Sequence, residues 1–280
     1  MTVSQLYLQC RKKLTHDTAD FDLSQLFYAQ FGAQAQHTRP NDEIAADDAL
    51  IFSQKVKRLV EGYPLQYLLG EWEFYSIPLK VGEGVLIPRP DTETLVDTAL
   101  GFLSQNPLAK VADFCAGSGA ISLAVAQNLA SCEVYALELS KEALRYLREN
   151  TKDCQRISVM ETDVLGDLAS LGLPKLDMVI SNPPYLTAQE LTELPESVRY
   201  EPKMALDGGE DGLVFYRSIA KSAKDLLVPN GLLLFEAGWQ QAQQIAEIMS
   251  AQGYHSIGFA KDLSGIDRCV YGRTPSETDI

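Results

Sequence analysis

The residues Ser181-Asn182-Pro183-Pro184-Tyr185 could hold a polar group in a fixed position, and they follow the apolar run Leu176-Asp177-Met178-Val179-Ile180. A β-branched run closed by two prolines reads as a buried strand that stops abruptly. The residue before a proline is held extended, so Asn182 stands on stiff backbone at a strand's carboxyl end. An open α/β sheet keeps its ligands at such ends. Asn182 offers a side-chain carbonyl and Pro183 a main-chain carbonyl, two acceptors able to hold a group through its N–H bonds. On its own, Asn-Pro is first of all a turn signal, so the surrounding residues must decide between the two readings.

Cys115-Ala116-Gly117-Ser118-Gly119 lies between an expected strand at 110–115 and an expected helix at 121–129. Glycines at this spacing also serve plain tight turns. A strand-to-helix turn, however, brings bare backbone up to a ligand at a helix N-terminus. The third position of the dinucleotide fingerprint falls on Ser122 rather than glycine, which argues against a pyrophosphate. Glu138 ends the next strand about 20 positions on, where an acidic side chain accepts hydrogen bonds from ribose hydroxyls. A nucleoside ligand without a pyrophosphate suggests S-adenosylmethionine. Asp163, followed by Val164, comes after the third strand; it could read an adenine amino group or serve as a turn aspartate.

The elements that must position these residues follow from the periodicity. Residues 2–62 are helical in pattern, with Leu6, Cys10 and Leu14 on one face and Leu23, Leu26 and Phe27 on another. Asp20 or Asp22 can cap the second helix. A third helical segment carries Ile44, Ile51, Val56, Leu59 and Val60 before Gly62, a C′ glycine. Period-two alternation through 71–81 predicts a hairpin-like linker. Pro88-Arg89-Pro90 forms a stiff lip, and Asp91 or Thr92 can cap the helix that follows. From residue 107 onward strands and helices alternate, the signature of a mostly parallel sheet covered by helices. Glu236, at the end of the fifth strand, is expected near the cleft or at a sheet edge. Trp239 and Asp267-Arg268 read as packing residues. The domain boundaries expected are 1–70 for the helical domain, 71–86 for the linker and 87–280 for the catalytic domain.

Composition narrows the function classes. The 280 residues, 46% hydrophobic, suffice for an ordinary buried core. Lysine and arginine number 24 against 38 acidic residues, a formal charge of −14. Such a field repels nucleic acid phosphates unless basic side chains cluster. Arg11-Lys12-Lys13 and Lys55-Val56-Lys57-Arg58 read as solvated helix faces, so direct nucleic acid binding is not expected. The 5 cysteines are scattered without a Cys-x-x-Cys pair and read as reduced, pointing to the cytoplasm. The 3 histidines have no ligand spacing, and a metal site is not expected. No leader or membrane-spanning run is read.

Asp113-Phe114-Cys115-Ala116-Gly117-Ser118-Gly119, Glu138 and Asn182-Pro183-Pro184-Tyr185 together resemble the class I S-adenosylmethionine-dependent methyltransferases that act on planar nitrogen. That motif is shared with adenine and guanine amino methyltransferases of DNA and RNA, which stay the alternative. Pro64-Leu65-Gln66-Tyr67-Leu68-Leu69-Gly70, Ile87-Pro88-Arg89-Pro90-Asp91-Thr92-Glu93, Glu201-Pro202 and Asp267-Arg268 narrow it, resembling the peptide-chain release factor glutamine N5-methyltransferases. The chain departs from that pattern at Ala116, where threonine is usual, and at Glu138, where aspartate is commoner. The resemblance implies a Rossmann-like, mostly parallel seven-stranded sheet with helices on both faces, preceded by a helical bundle and a β-hairpin linker. It implies methyl transfer from S-adenosylmethionine to the glutamine amide of the Gly-Gly-Gln loop in release factors, which act in translation termination. Cys115, Ala116, Gly117, Ser118, Gly119, Glu138, Asp163, Val164 and Asn182 would bind the cofactor. Asn182, Pro183, Pro184 and Tyr185 would hold the substrate amide. A cytoplasmic monomer acting on a protein partner is expected.

Overall fold

The computed structural model describes residues 1–32 and 39–276, which divide into two compact units. The first comprises Met1–Glu71 together with Pro195–Tyr200. Its helices are α1 (Val3–Arg11), α2 (Ala19–Phe31), α3 (Ala46–Val60) and the short α4 (Leu65–Leu69). Thr2 and Gln5 close a reciprocal capping box on α1, with bonds of 3.0 and 3.3 Å. The expected stripes Leu6–Cys10–Leu14 and Leu23–Leu26–Phe27 are buried. Phe27 and Phe52 meet edge to face at 4.8 Å. On α3 the buried face is Phe52, Val56 and Leu59, while Ile51 and Val60, read from the sequence as part of the stripe, are exposed. The period of 3.6 turns those two away once Phe52 takes the core position. Neither Asp20 nor Asp22 caps α2; both lie inside its first turn, with Asp20 paired to Arg11 and Asp22 accepting from Thr18 at 2.9 Å.

The second unit spans Trp72–Leu194 and the residues from Glu201 onward. A hairpin of β1 (Glu71–Phe74) and β2 (Ile77–Lys80) turns at Tyr75 and Ser76, both in the left-handed region at φ 53° and 59°. A 3₁₀ turn at Pro90–Thr92 leads into α5 (Glu93–Leu103). Then come β3 (Lys110–Phe114), α6 (Ala120–Asn128), β4 (Glu133–Glu138), α7 (Lys141–Thr151), β5 (Ile157–Glu161) and β6 (Leu176–Ser181). After α8 (Val214–Leu226) follow β7 (Leu227–Glu236), α9 (Ala242–Ala251), β8 (His255–Lys261) and β9 (Asp267–Arg273).

The strands form the expected seven-stranded sheet in the order β5-β4-β3-β6-β7-β9-β8, parallel except for β9, which runs against both neighbours. Successive residues of each central strand serve opposite faces. Met178, Ile180, Leu232 and Leu234 pack with α5 and α6, while Val179, Leu233 and Phe235 pack with α8 and α9. Both faces are therefore apolar, which is why these strands read as continuous hydrophobic runs. Helix α8 starts at Val214, just after Gly212 takes φ 72° and the Asp211 side chain accepts the Leu213 N–H at 3.1 Å. Chain order reverses between β3 and β6, the switch point beside which a cleft opens.

Candidate active site

At the carboxyl end of β3 the chain turns sharply. Cys115, Gly117 and Gly119 adopt φ 62°, 56° and 84°, a left-handed series that glycine tolerates without strain. Gly119 sits at the N-cap of α6, and a Cβ there would lie 2.7 Å from Leu147 Cδ1 of α7. Close packing fixes the loop from below. Asn150 on α7 fixes it from the side, its Nδ2 donating to the carbonyls of Ser118 at 2.9 Å and Lys80 at 3.0 Å. Above the loop, Glu138 accepts the N–H of Gly117 at 2.8 Å on one oxygen. Its other oxygen accepts those of Leu139 at 2.9 Å and Ser140 at 2.7 Å. These three bonds orient the carboxylate and leave lone-pair capacity for a further donor.

A concave cleft opens beside this loop, the kind of place in which small-molecule ligands bind. Of the residues expected to bind the cofactor, Cys115, Gly117, Glu138, Asp163, Val164 and Asn182 line it; Ala116, Ser118 and Gly119 do not. Asp163 spends one oxygen on an Asx turn, accepting the Leu165 N–H at 2.9 Å. Cys115 is no nucleophile: burial, with the nearby Glu138 and Asp113 carboxylates, holds its thiol protonated.

On the other wall, Ser181 anchors the end of β6 by donating to the Phe114 carbonyl at 2.7 Å. Asn182 and Pro184 line the cleft, while Pro183 and Tyr185 lie outside its lining. Asn182 Nδ2 donates to Thr92 Oγ1 at 3.1 Å, and its Oδ1 has no hydrogen-bond partner among the described residues. Tyr185 is wedged among glycines. A Cβ at Gly208 would stand 2.7 Å from its Cα and one at Gly238 2.8 Å from its ring, while Gln241 donates to its carbonyl at 3.0 Å. Burial, reinforced by Glu236, pushes the Tyr185 phenol up to about 12, so it stays neutral.

The stiff lip is tied down by a residue far along the chain. Glu201, almost fully buried, accepts the Ile87 N–H at 3.0 Å and pairs with Arg89. Thr92, expected to cap α5, makes no cap bond, and its hydroxyl oxygen accepts from Asn182 instead. Glu236 is not at an edge: β7 pairs with both β6 and β9, and the side chain is buried. Arg268, assigned to packing, is an electrostatic hub that contacts Asp91 at 3.0 Å and Asp262 at 3.1 Å.

Residues 92–219 match the family model described as Methyltransferase small domain. A release factor glutamine methyltransferase of Moorella thermoacetica is 41% identical over 235 residues, covering 82% of each chain. The chain belongs to the release factor glutamine methyltransferases. Another member, from Thermodesulfovibrio yellowstonii, is 39% identical over 82% of this chain and 83% of its own. Among solved structures, the release factor-specific protein-(glutamine-N5) methyltransferase of Alicyclobacillus acidocaldarius is 27% identical with a TM-score of 0.42, covering 70% of this chain and 99% of its own. The hMettl16 catalytic domain in complex with MAT2A 3′UTR hairpin 6 shares the fold, at a TM-score of 0.60 and 14% identity, over 81% of this chain and 83% of its own.

In this member of the release factor glutamine methyltransferases, several cleft residues escaped the sequence reading. Val85 and Leu86 precede the proline lip, and Pro202, Met204 and Ala205 follow Glu201; the motifs at 87–93 and 201–202 were the available signal. Phe215, on α8, had none. Among the described residues there is no cluster that could hold a metal ion and no helix long and apolar enough to cross a membrane.

Proposed function

We propose that this chain transfers a methyl group from S-adenosylmethionine to the side-chain amide nitrogen of the glutamine in the Gly-Gly-Gln loop of peptide-chain release factors. The observation that carries the reading is the orientation of Asn182, whose amide nitrogen is engaged by Thr92 and whose carbonyl oxygen is left for an incoming N–H donor. The cleft residues suit the cofactor. Glu138 retains acceptor capacity for ribose hydroxyls, and a Cβ on Gly117 would meet no atom within 4 Å, so the loop leaves open space at the cleft. When bound, S-adenosylmethionine supplies an electrophilic methyl group on a sulfonium that is its own leaving group.

The chemical difficulty lies with the carboxamide nitrogen, whose lone pair is delocalised into its carbonyl. Asn182 Oδ1 and the Pro183 carbonyl, both on proline-stiffened backbone, would accept its two N–H bonds and turn the lone pair toward the methyl carbon. Alignment of this kind can lower a barrier by several kcal/mol. As the N–C bond forms, positive charge develops on nitrogen and its N–H bonds become strongly acidic, so the proton is released to water after methyl transfer and no strong base is required beforehand. Tyr185 would pack against the flat amide and exclude water. We infer that the helical unit grips the factor away from the reacting amide, and that an acidic enzyme of formal charge −14 suits a basic protein substrate. The deciding experiment is labelled methyl transfer to a purified release factor beside a variant with alanine for the loop glutamine. Label on the parent factor alone is expected; label on both proteins would reject the acceptor.

A further inference from the structure

Arg268 stands at the start of β9, beside the carboxyl end of β7, and is only 9% exposed. A buried guanidinium carries N–H donors to satisfy and no acceptor. Three segments of chain answer it. Nη1 donates to the Ala237 carbonyl at 3.3 Å, Nε and Nη2 donate to Asp262 Oδ2 at 3.2 and 3.1 Å, and Nη2 lies 3.0 Å from Asp91 Oδ2. The main-chain carbonyl of Arg268 also accepts the Ala237 N–H at 2.7 Å, so both polar backbone groups of Ala237 are spent on this residue.

Two of those segments lead to opposite ends of the Asn-Pro-Pro-Tyr turn. Asp91 directly precedes Thr92, whose Oγ1 accepts Asn182 Nδ2 at 3.1 Å. Ala237 directly precedes Gly238, where a Cβ would stand 2.8 Å from the Tyr185 ring, and Gln241 donates to the Tyr185 carbonyl at 3.0 Å. The third segment is bonded to itself. Asp262 Oδ1 accepts the Ser264 and Ile266 N–H groups at 2.9 and 3.0 Å, within its own turn.

We propose that Arg268 is a positioning residue for methyl transfer, its guanidinium tying the segment that holds Asn182 to the segment that holds Tyr185. The proposal rests on the assignment of that turn to the acceptor amide above. Pro183 and Pro184 stiffen the turn from within, whereas the Asn182 side chain and the Tyr185 ring are set by these outside contacts. A displacement of about 1 Å is enough to spoil near-attack geometry, so the shape of the fork matters as well as its charge. Lysine keeps the charge but is a point donor on a flexible stem, unable to hold three acceptors in fixed directions. Arg268, Asp91 and Ala237 do not line the cofactor cleft, so the effect falls on the transfer step.

The test compares Arg268→Lys, Asp91→Asn and Asp262→Asn with the parent enzyme in methyl transfer to a release factor, with S-adenosylmethionine affinity and thermal midpoints measured alongside. Arg268→Lys should lower kcat by roughly tenfold or more and leave cofactor affinity within about twofold of the parent. The Asp91 side chain is 56% exposed, so Asp91→Asn should hardly move the midpoint. Its kcat should nevertheless fall by roughly threefold to tenfold. Asp262, whose side chain is 4% exposed, belongs to the arm that does not reach the turn. Asp262→Asn should therefore lower the midpoint most while kcat stays within about twofold. An Asp91→Asn enzyme with parental kcat, or activity losses that follow the midpoints across the variants, would overturn the proposal. Neither outcome depends on whether Arg268→Lys folds. A readout without turnover separates the clamp from the acceptor reading. Because Arg268→Lys conserves charge, a shift of the Asn182 side-chain amide signals in ¹⁵N-labelled protein reports moved geometry, and it is expected there but not in Asp262→Asn. Parental signals in Arg268→Lys would reject the clamp even if the parent methylates the factor. Shifted signals beside a parent that leaves the factor unmethylated would keep the clamp and remove the acceptor reading.

Discussion

Asn182 and Glu138 both line the cleft, and their hydrogen bonds show how to separate the roles proposed for them. Asn182 uses its nitrogen inward and offers its oxygen outward, so Asn182→Ala removes the acceptor without touching the glycine loop. It should cut methyl transfer by about a hundredfold or more while S-adenosylmethionine affinity, measured by calorimetry, changes far less. Equal loss of both would remove Asn182 from the acceptor side. Glu138 carries three backbone N–H bonds on its two oxygens. Glu138→Gln would point an amide N–H₂ at one of those donors and weaken the proposed ribose contact together with the loop beside it. The expected signature is a rise in cofactor Kd of roughly tenfold or more, and an unchanged Kd would exclude Glu138 from the cofactor site.

At the scale of elements, the central strands were legible because their patterns are local. Leu176–Ser181 and Leu232–Phe235 are buried on both faces, and a run with no polar face can hardly be anything else in an alternating α/β chain. The caps expected of Thr92 and Asp22 fail because those side chains are claimed by other partners, Asn182 and Thr18. Glu236 looked like an edge residue because the antiparallel return of β9 leaves no mark on residues 232–236. Glu201 carried a family motif but no hint of its partner, since the bond to Ile87 spans 114 residues. The glycine loop was legible as a turn, but its tightness was not. Gly119→Ala places a Cβ 2.7 Å from Leu147 Cδ1 at φ 84°, combining left-handed strain with overpacking. It should destabilise the protein by about 2 kcal/mol or more in urea denaturation. It should weaken cofactor binding as well, and a parental midpoint would show that α6 and α7 adjust around the added methyl.

For the whole molecule, the active end of the sheet is a place where stability is given up. Asp113 and Glu236 both sit at or near the carboxyl ends of buried strands, and burial lifts them from 3.8 and 4.5 to about 7. Ser122 satisfies one oxygen of Asp113 at 2.6 Å, and the other has no partner among the described residues. A carboxyl raised in the folded state contributes stability that is fully present below its unfolded value. That contribution is lost as pH climbs to the folded value, because the native protein keeps a proton that the unfolded chain has released. Each group should therefore tilt the unfolding free energy downward by up to about 1.4 kcal/mol per pH unit between pH 4 and 7, levelling off above. Self-repulsion at a formal charge of −14 also grows with pH, but nearly equally in variants that differ by one charge. Asp113→Asn keeps an acceptor for Ser122 and removes the titration. Its urea-derived stability should fall less steeply from pH 5 to 8 than that of the parent, with the gap between the two curves widening across that interval. Parallel curves would mean that Asp113 is already ionised in the native protein, and that the charge at the foot of the glycine loop is held by something other than its hydrogen bond to Ser122.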